Sequence, residues 1–498
     1  MLRKADIMWE LGELRECISY LENLAKNLPS ITLKTIQLEQ SYEREYGLPY
    51  GHPSIEKIEA FINWMKNNGA VFDKIRMKYY APDYRGVHTT KQLEPSEVFL
   101  KVPKSLIITA QKGKETYLGT KMLKAKLRFH WEYLVYITVF ILTQLHDFKS
   151  FWKPYMSVYP RDVCHFPIFY TNEEKSLLKG SPILQHIEEE IKEMTEEYEA
   201  IVSAVPEFRE FSLEEYMKNK TLVISRVFCV KMNGVVERVI VPLADMCNHN
   251  NEQISEINCN DKEFMVTANK PIKAKDPICI YYGQKPNYRF LFYYGFLIEG
   301  NKHNCIYINL SFNKDDPNVR HKEVLIGSNL AIKTFKVYET HNDKLFCYLR
   351  FIEYKGKLGI FGRYLTPEVP NVLICKFLKR KLKCPILSLE NERCVLKKVK
   401  VIATEYLSKY PDSYNLDIEL LQHNNLSFNT RNCIILRSDE KLILRNLILL
   451  ADIALHIIEM KTIKEVEEYL NQQKDVPYRE YFEKSLVPFM NKCFNKTK

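Results

Sequence analysis

The chain has 498 residues, 46% hydrophobic and 12% aromatic, which is enough for two or three packed domains and argues against wholesale disorder. A net charge of +10 is modest for this length, and the densest basic run, KFLKRKLKC at 376–384, reads as a solvated helix face with no nucleic-acid motif beside it, so nucleic acid is not an expected partner. The 16 glycines include no GxGxxG or GxxxxGK[ST] run, and the 13 cysteines include no CxxC pair; phosphate loops, a disulfide framework and a Cys-rich zinc site are all disfavoured, and a reducing compartment, cytoplasmic or nuclear, is expected.

In chain order, residues 1–45 read as helical, with Ile7, Leu11, Leu14, Ile18 and Leu21 at helical spacing and no signal-peptide core. GLPYGHPS at 47–54 breaks the pattern, and Ser54 is placed to cap the following helix. Residues 71–110 turn to short β-type runs. Residues 120–220 return to helix: EYLVYITVFILTQLH is apolar nearly all round and reads as a buried helix. Residues 221–310 are β-rich again, through TLVISRVFCV, ERVIVPL, EFMVTAN and PICIYYG. The remainder is mostly helical, with amphipathic runs at 388–408, 435–460 and 462–487. The apolar stretch 133–142 is too short to span a bilayer, and 442–458 is interrupted by Arg445 and Asp452, so no membrane partner is expected.

The chemistry concentrates in VPLADMCNHN, 241–250, which starts like a buried strand and ends in polar groups. Asp245 and His249 stand four apart, as two ligands on one helix face would, but no HxxxH, CxxC or HExxH supplies the rest of a metal site, and no metal is expected. Turn and helix-start hydrogen bonds are the simpler use of such residues. About thirty residues on comes PICIYYGQKPNYRFLFYYGFLIEGN. Upstream lies VISRVFCV, where Arg226 sits in an otherwise apolar strand and needs an acidic partner: Asp245, or the carboxylate of a ligand.

SRxF, then VPxxDxxNH, then YG and YGF, in this order and spacing, resembles the SET-domain protein methyltransferases. The likeness is greatest to the branch of the Rubisco large-subunit and actin-histidine methyltransferases. SFWKPYMSVYP at 150–160 and ILRSDEKLILRNLI at 435–448 resemble further stretches of that branch. The resemblance implies an α+β chain in which a SET β-fold is split by a helical insertion and followed by an all-helical substrate-binding domain. The expected boundaries are a helical extension at 1–54, a SET domain at 55–310 with its insertion at about 120–220, and the substrate-binding domain at 311–498. A monomer acting on a protein substrate is expected.

The resemblance further implies S-adenosylmethionine as methyl donor, held by Asn248 and His249 with the backbone of Asp245, Met246 and Cys247, by Arg226, and by Tyr294, Gly295 and Phe296. Tyr282 matches the catalytic tyrosine. These residue types suit the donor: arginine grips a carboxylate by parallel bonds, asparagine both donates and accepts, and aromatic faces attract a sulfonium. One segment departs from the pattern. Where the family has E-G-x-G-L, this chain has DYRGV, so Asp83, Tyr84 and Arg85 fall at donor-contact positions but the first glycine is missing. The acceptor pocket is implied at Phe228, Ala244 and Tyr294. Histidine-modifying members carry Asn, Trp and Ser at these positions. An imidazole needs a hydrogen bond to fix its tautomer, which Phe228 cannot give. A lysine stem suits Phe and Tyr walls, so lysine is the expected acceptor and histidine the alternative. A non-catalytic protein-binding module is the third reading.

Overall fold

The computed structural model describes residues 53–81, 84–232, 234–311, 332–339, 342–355, 385–423, 425–473 and 477–496, with single residues 316, 319 and 322. The helical reading of 1–45, Asp83 and the basic run 376–384 lie outside the described residues. The chain divides into two compact units. The first takes the described residues up to Val163 together with Met194–Gly283, and the second takes Cys164–Glu193 and the chain from Gln284 onward. The chain passes between units at three points, where the sequence reading drew one boundary at 310.

The first unit opens with α1 (Ile55–Asn67), which starts directly after Ser54, although the serine side chain makes no cap bond. Ile55, Ile58, Phe61, Trp64 and Met65 recur at helical spacing and are buried. The β-type runs become β1 (Ile75–Ala81), β2 (Tyr84–Thr89), β3 (Val98–Pro103) and β4 (Ile108–Thr109). The insertion follows, with α2 (Glu132–His146), α3 (Lys153–Val158), α4 (Ile183–Ala204), of which the part from Met194 belongs to this unit, and α5 (Leu213–Arg226). Helix α2 is buried without a break from Leu134 to Leu142, as its all-round apolar sequence requires. Val135, Val139 and Leu142 pack with Phe208, Phe211 and Tyr216 in one cluster.

Strands β5 (Phe228–Met232), β6 (Val235–Ile240), β7 (Asn248–His249), β8 (Ser255–Cys259), β9 (Glu263–Ala268) and β10 (Pro277–Ile280) complete three small sheets, ordered β1-β2-β10-β7, β3-β9-β8 and β4-β6-β5. TLVISRVFCV is not one strand. Its first half ends α5, and β5 begins only at Phe228. Ser212 starts the helix by accepting from the Glu215 amide, Glu214 and Glu215 sit in the first turn, and Tyr216, Leu222 and Val223 are buried. That start signal and the buried face outweigh the β-branched composition. Arg226 therefore lies in the last turn of a helix and not in a strand.

In the second unit, α6 (Asn287–Tyr294) is followed by the antiparallel pair β11 (Cys305–Ser311) and β12 (Ile332–Tyr338). Helices α7 (Asp343–Ile352), α8 (Leu389–Leu407), α9 (Phe428–Ile458), α10 (Ile463–Gln472) and α11 (Val487–Lys496) follow. Among the described residues after Ser311, the C-terminal part is helical apart from β12. Its core joins Leu345, Leu349, Val395, Val399, Leu444, Leu447, Leu450 and Ile457. Among the described residues, no helix is long and apolar enough to cross a membrane.

Candidate active site

The site starts where β6 ends. Leu243 takes φ +71° and ψ −44°, a strained turn conformation for a residue with a side chain, and throws the chain into a tight turn over Ala244–Met246. The Asp245 amide donates back to the Val241 carbonyl at 3.0 Å, and the Asp245 side chain is driven inward. The chain then enters β7, which pairs in parallel with β10, Asn248 opposite Cys279 and His249 opposite Ile280. This short pairing brings Tyr282 beside the NH pair. The Tyr282 amide donates to His249 Nδ1 at 3.1 Å, and its hydroxyl donates to the Cys247 carbonyl at 2.8 Å. Because Nδ1 accepts from an amide, the neutral ring carries its proton on Nε2, which faces Asn251 Oδ1 at 3.3 Å.

Asn248 Nδ2 donates to the Arg85 carbonyl at 3.0 Å, tying β7 to β2. At the next residue a glycine lets the side chains close in: a Cβ on Gly86 would lie 2.9 Å from Asn248 Nδ2 and 2.7 Å from the Tyr80 hydroxyl, and both would have to shift. The Tyr80 hydroxyl is bonded to His88 Nε2, and burial pushes its pKa up to about 12.

A buried polar network lies behind this frame. Arg226 Nη1 donates to the Asp245 carbonyl at 2.8 Å and to Asp245 Oδ2 at 3.1 Å, and the Tyr155 hydroxyl donates to the same Oδ2 at 2.8 Å. Burial alone works against the charge on Arg226; the Asp245 carboxylate and nearby tyrosines outweigh it and hold its pKa above the ordinary value. Burial, reinforced by Asp245, pushes Tyr155 well up. Arg85 is also buried, and its Nη1 donates to the Val158 carbonyl and, at 3.1 Å, to the Tyr79 hydroxyl. Arg226 Nε, Asp245 Oδ1, Arg85 Nη2 and the Tyr159 hydroxyl are buried with no protein hydrogen-bond partner. Two guanidinium donors, one carboxylate oxygen and a hydroxyl match what a zwitterionic amino-acid end asks of a site: donors for its carboxylate and an acceptor for its ammonium. The methionine end of S-adenosylmethionine fits that set.

Residues 84–283 match the family model for the SET domain, and residues 313–444 match that for Rubisco LSMT substrate-binding. The chain is a SET-domain protein with a Rubisco LSMT substrate-binding region. Its SET domain holds the whole Arg226–Asp245–Asn248–His249–Tyr282 arrangement. Curated relatives named actin-histidine N-methyltransferase include that of Xenopus tropicalis, 25% identical over 415 residues (77% of this chain, 68% of the relative). The mouse protein is 23% identical over 354 residues (66% and 58%), and the human one 24% over 413 (77% and 66%). The matched parts thus span about two thirds of those relatives' length. Two solved structures share the fold at 20% identity: the SET domain of LSMT bound to MeLysine and AdoHcy, TM-score 0.67, and Rubisco LSMT bound to AdoMet, TM-score 0.65, each covering 81% of this chain and 93% of the other.

The SET domain brings together most of the residues read from the sequence. Met246 and Cys247 are buried in the turn and offer their backbone, and Ala244 is buried beside them. Phe228 opens β5 and meets the Phe264 ring edge-on at 5.3 Å. Tyr84 is exposed at the start of β2, with its ring 4.8 Å from that of Tyr80. The pair Asp245 and His249 does not share a helix face, because one lies in a turn and the other in a strand. Asp245 is bound to Arg226 instead.

Tyr294, Gly295 and Phe296 belong to the second unit. Tyr294 ends α6, and Gly295 caps it at φ +74°, where a Cβ would strike His165 at 2.2 Å. The Phe296 ring lies 5.3 Å from that of Phe290, and burial raises the Tyr294 pKa. Tyr155 and Tyr159 were not singled out by sequence reasoning. Their signal was present in SFWKPYMSVYP, whose two tyrosines after the first proline stand against Asp245 and Arg226.

Proposed function

We propose that this chain is a protein-lysine N-methyltransferase that draws its methyl group from S-adenosylmethionine. The donor supplies an electrophilic methyl group on a sulfonium. The chain's residues do the rest. Arg226, paired with Asp245 but with Nε still free of a protein partner, is placed to hold the donor's carboxylate, and the Asn248–His249 pair fixes the neighbouring backbone. The Tyr282 hydroxyl donates to the Cys247 carbonyl, which fixes the orientation of its oxygen for aligning the incoming amine. That fixed hydroxyl, held in one frame with His249, is the observation that carries the reading. Apolar walls strip water from the amine and lower its pKa, so the neutral nucleophile forms within the site.

The lysine preference rests on Phe228 and Ala244. Phe228 packs on Phe264 and offers no hydrogen bond to an imidazole; a buried alanine adds none. Histidine is the second reading, favoured by the names of the curated relatives. The protein substrate is proposed to engage the Rubisco LSMT substrate-binding region.

The test is transfer of labelled methyl from S-adenosylmethionine into a whole-cell lysate, with acid hydrolysis of the labelled protein and Tyr282→Phe as control. Label in methyl-lysine that disappears with the variant supports the proposal. Label in methylhistidine moves it to the second reading, and no Tyr282-dependent label removes the enzymatic account.

A further inference from the structure

The buried network holds more positive charge than protein carboxylates answer. Arg85 and Arg226 both lie within it, yet among the described residues the one acid paired there is Asp245, and it is bonded to Arg226. Arg85 makes no ion pair among the described residues; its partners are a carbonyl and a phenol, both neutral. A guanidinium that is 8% exposed without a counter-charge is costly unless something anionic joins it. The two guanidiniums flank one dipeptide: Arg85 Nη1 holds the Val158 carbonyl, and Arg226 stands 6.0 Å from the Tyr159 ring. Each keeps one buried N–H unanswered, Nη2 of Arg85 and Nε of Arg226. The Arg85 backbone, meanwhile, is tied to Asn248 through its carbonyl.

We infer that Arg85 is a second carboxylate-binding residue of the donor site. Together with Arg226 it grips the amino-acid carboxylate of S-adenosylmethionine. This rests on the methyltransferase reading above and extends it to a side chain of the segment where the sequence loses a glycine. A chain with Tyr84 in place of that glycine gives up one close backbone approach. The added guanidinium restores hold on the donor at its charged end, where a charge-assisted bond is strong.

The experiment is calorimetric titration of the full chain with two ligands, S-adenosylhomocysteine and 5′-methylthioadenosine. They share the nucleoside and the thioether, and the second lacks the amino-acid end. Arg85→Met is expected to reduce the preference for S-adenosylhomocysteine over methylthioadenosine by about 10-fold or more, leaving methylthioadenosine affinity within about 2-fold. Arg85→Lys keeps the charge and should retain most of the preference, with apo melting curves recorded for both variants. An unchanged preference in Arg85→Met, or a parallel loss of both ligands, overturns the inference and leaves the methyltransferase reading standing. Failure of the unaltered protein to bind S-adenosylhomocysteine overturns that reading and the inference with it.

Discussion

Gly86 is the residue on which the donor frame is least forgiving. A methyl group there meets the Tyr80 hydroxyl and Asn248 Nδ2, both ends of side chains that can move. Gly86→Ala should therefore fold, yet displace Asn248 and weaken S-adenosylhomocysteine by about 10-fold or more in a calorimetric titration. An affinity within about 2-fold of the parent would remove Asn248 from the donor site. Tyr155 acts differently, through Asp245. Tyr155→Phe takes one donor from a buried carboxylate and should cost about 1–3 kcal/mol in denaturant unfolding. The acceptor also has a signature at this scale. A lysine must lose a proton with a pKa of about 10.4 in solution, so kcat/KM should climb with pH past about 9; an imidazole acceptor would level off near about 7. Arg226 and Asp245 were legible as partners because a buried arginine requires an acid. Tyr155 was not, because its partner lies 90 residues away and nothing local marks the pairing. Arg85 showed only as a donor-contact position beside the glycine lost at Tyr84; the inward turn of its side chain depends on β2 pairing with β10 and β1.

At the scale of elements, α2 was readable from its all-round apolar run, the long helix α9 from its amphipathic pattern, and the β runs from their turns. The α5–β5 junction was not, because its residues favour strand while the Ser212 start and the buried face of α5 favour helix. Likewise the parallel β7–β10 pair is two residues long and carries no pattern of its own, though it sets the Tyr282–His249 contact. Two elements carry sharp expectations. Gly295→Ala forces a side chain into the left-handed region and against His165, so α6 should lose its end and the chain about 1–2 kcal/mol or more, read by denaturant unfolding.

In α9, Glu440 accepts from Ser181 and Tyr410, and burial raises its pKa to about 7 from an ordinary 4.5; Asp439 beside it rises to about 6, also by burial. Between pH 4.5 and 7 the folded chain holds a proton that the unfolded chain has released, so stability falls as pH rises through that window. Glu440→Gln should flatten the Tm–pH slope there. An unchanged slope would contradict the assignment.

Across the whole molecule, two sequence families match in order, a SET domain and then a Rubisco LSMT substrate-binding region, and the described chain forms two compact units. Fold class and domain order were legible because the motifs sit in one frame. The division of the chain was less so: residues 164–193 and 284–310 join the second unit through contacts such as Ile183, Ile187 and Leu291 with Leu436, which no local signal announces. S-adenosylhomocysteine at about a hundred times its Kd should add about 2.7 kcal/mol to the stability of the unit carrying Arg226, Asn248 and His249.

The most direct measurement is a crystal structure of the protein with S-adenosylhomocysteine. The account predicts the ligand's carboxylate at Arg226, its nucleoside beside Asn248 and His249, and its sulfur facing the Tyr282 hydroxyl. A chain that crystallises at saturating ligand with those groups contacting only one another contradicts it.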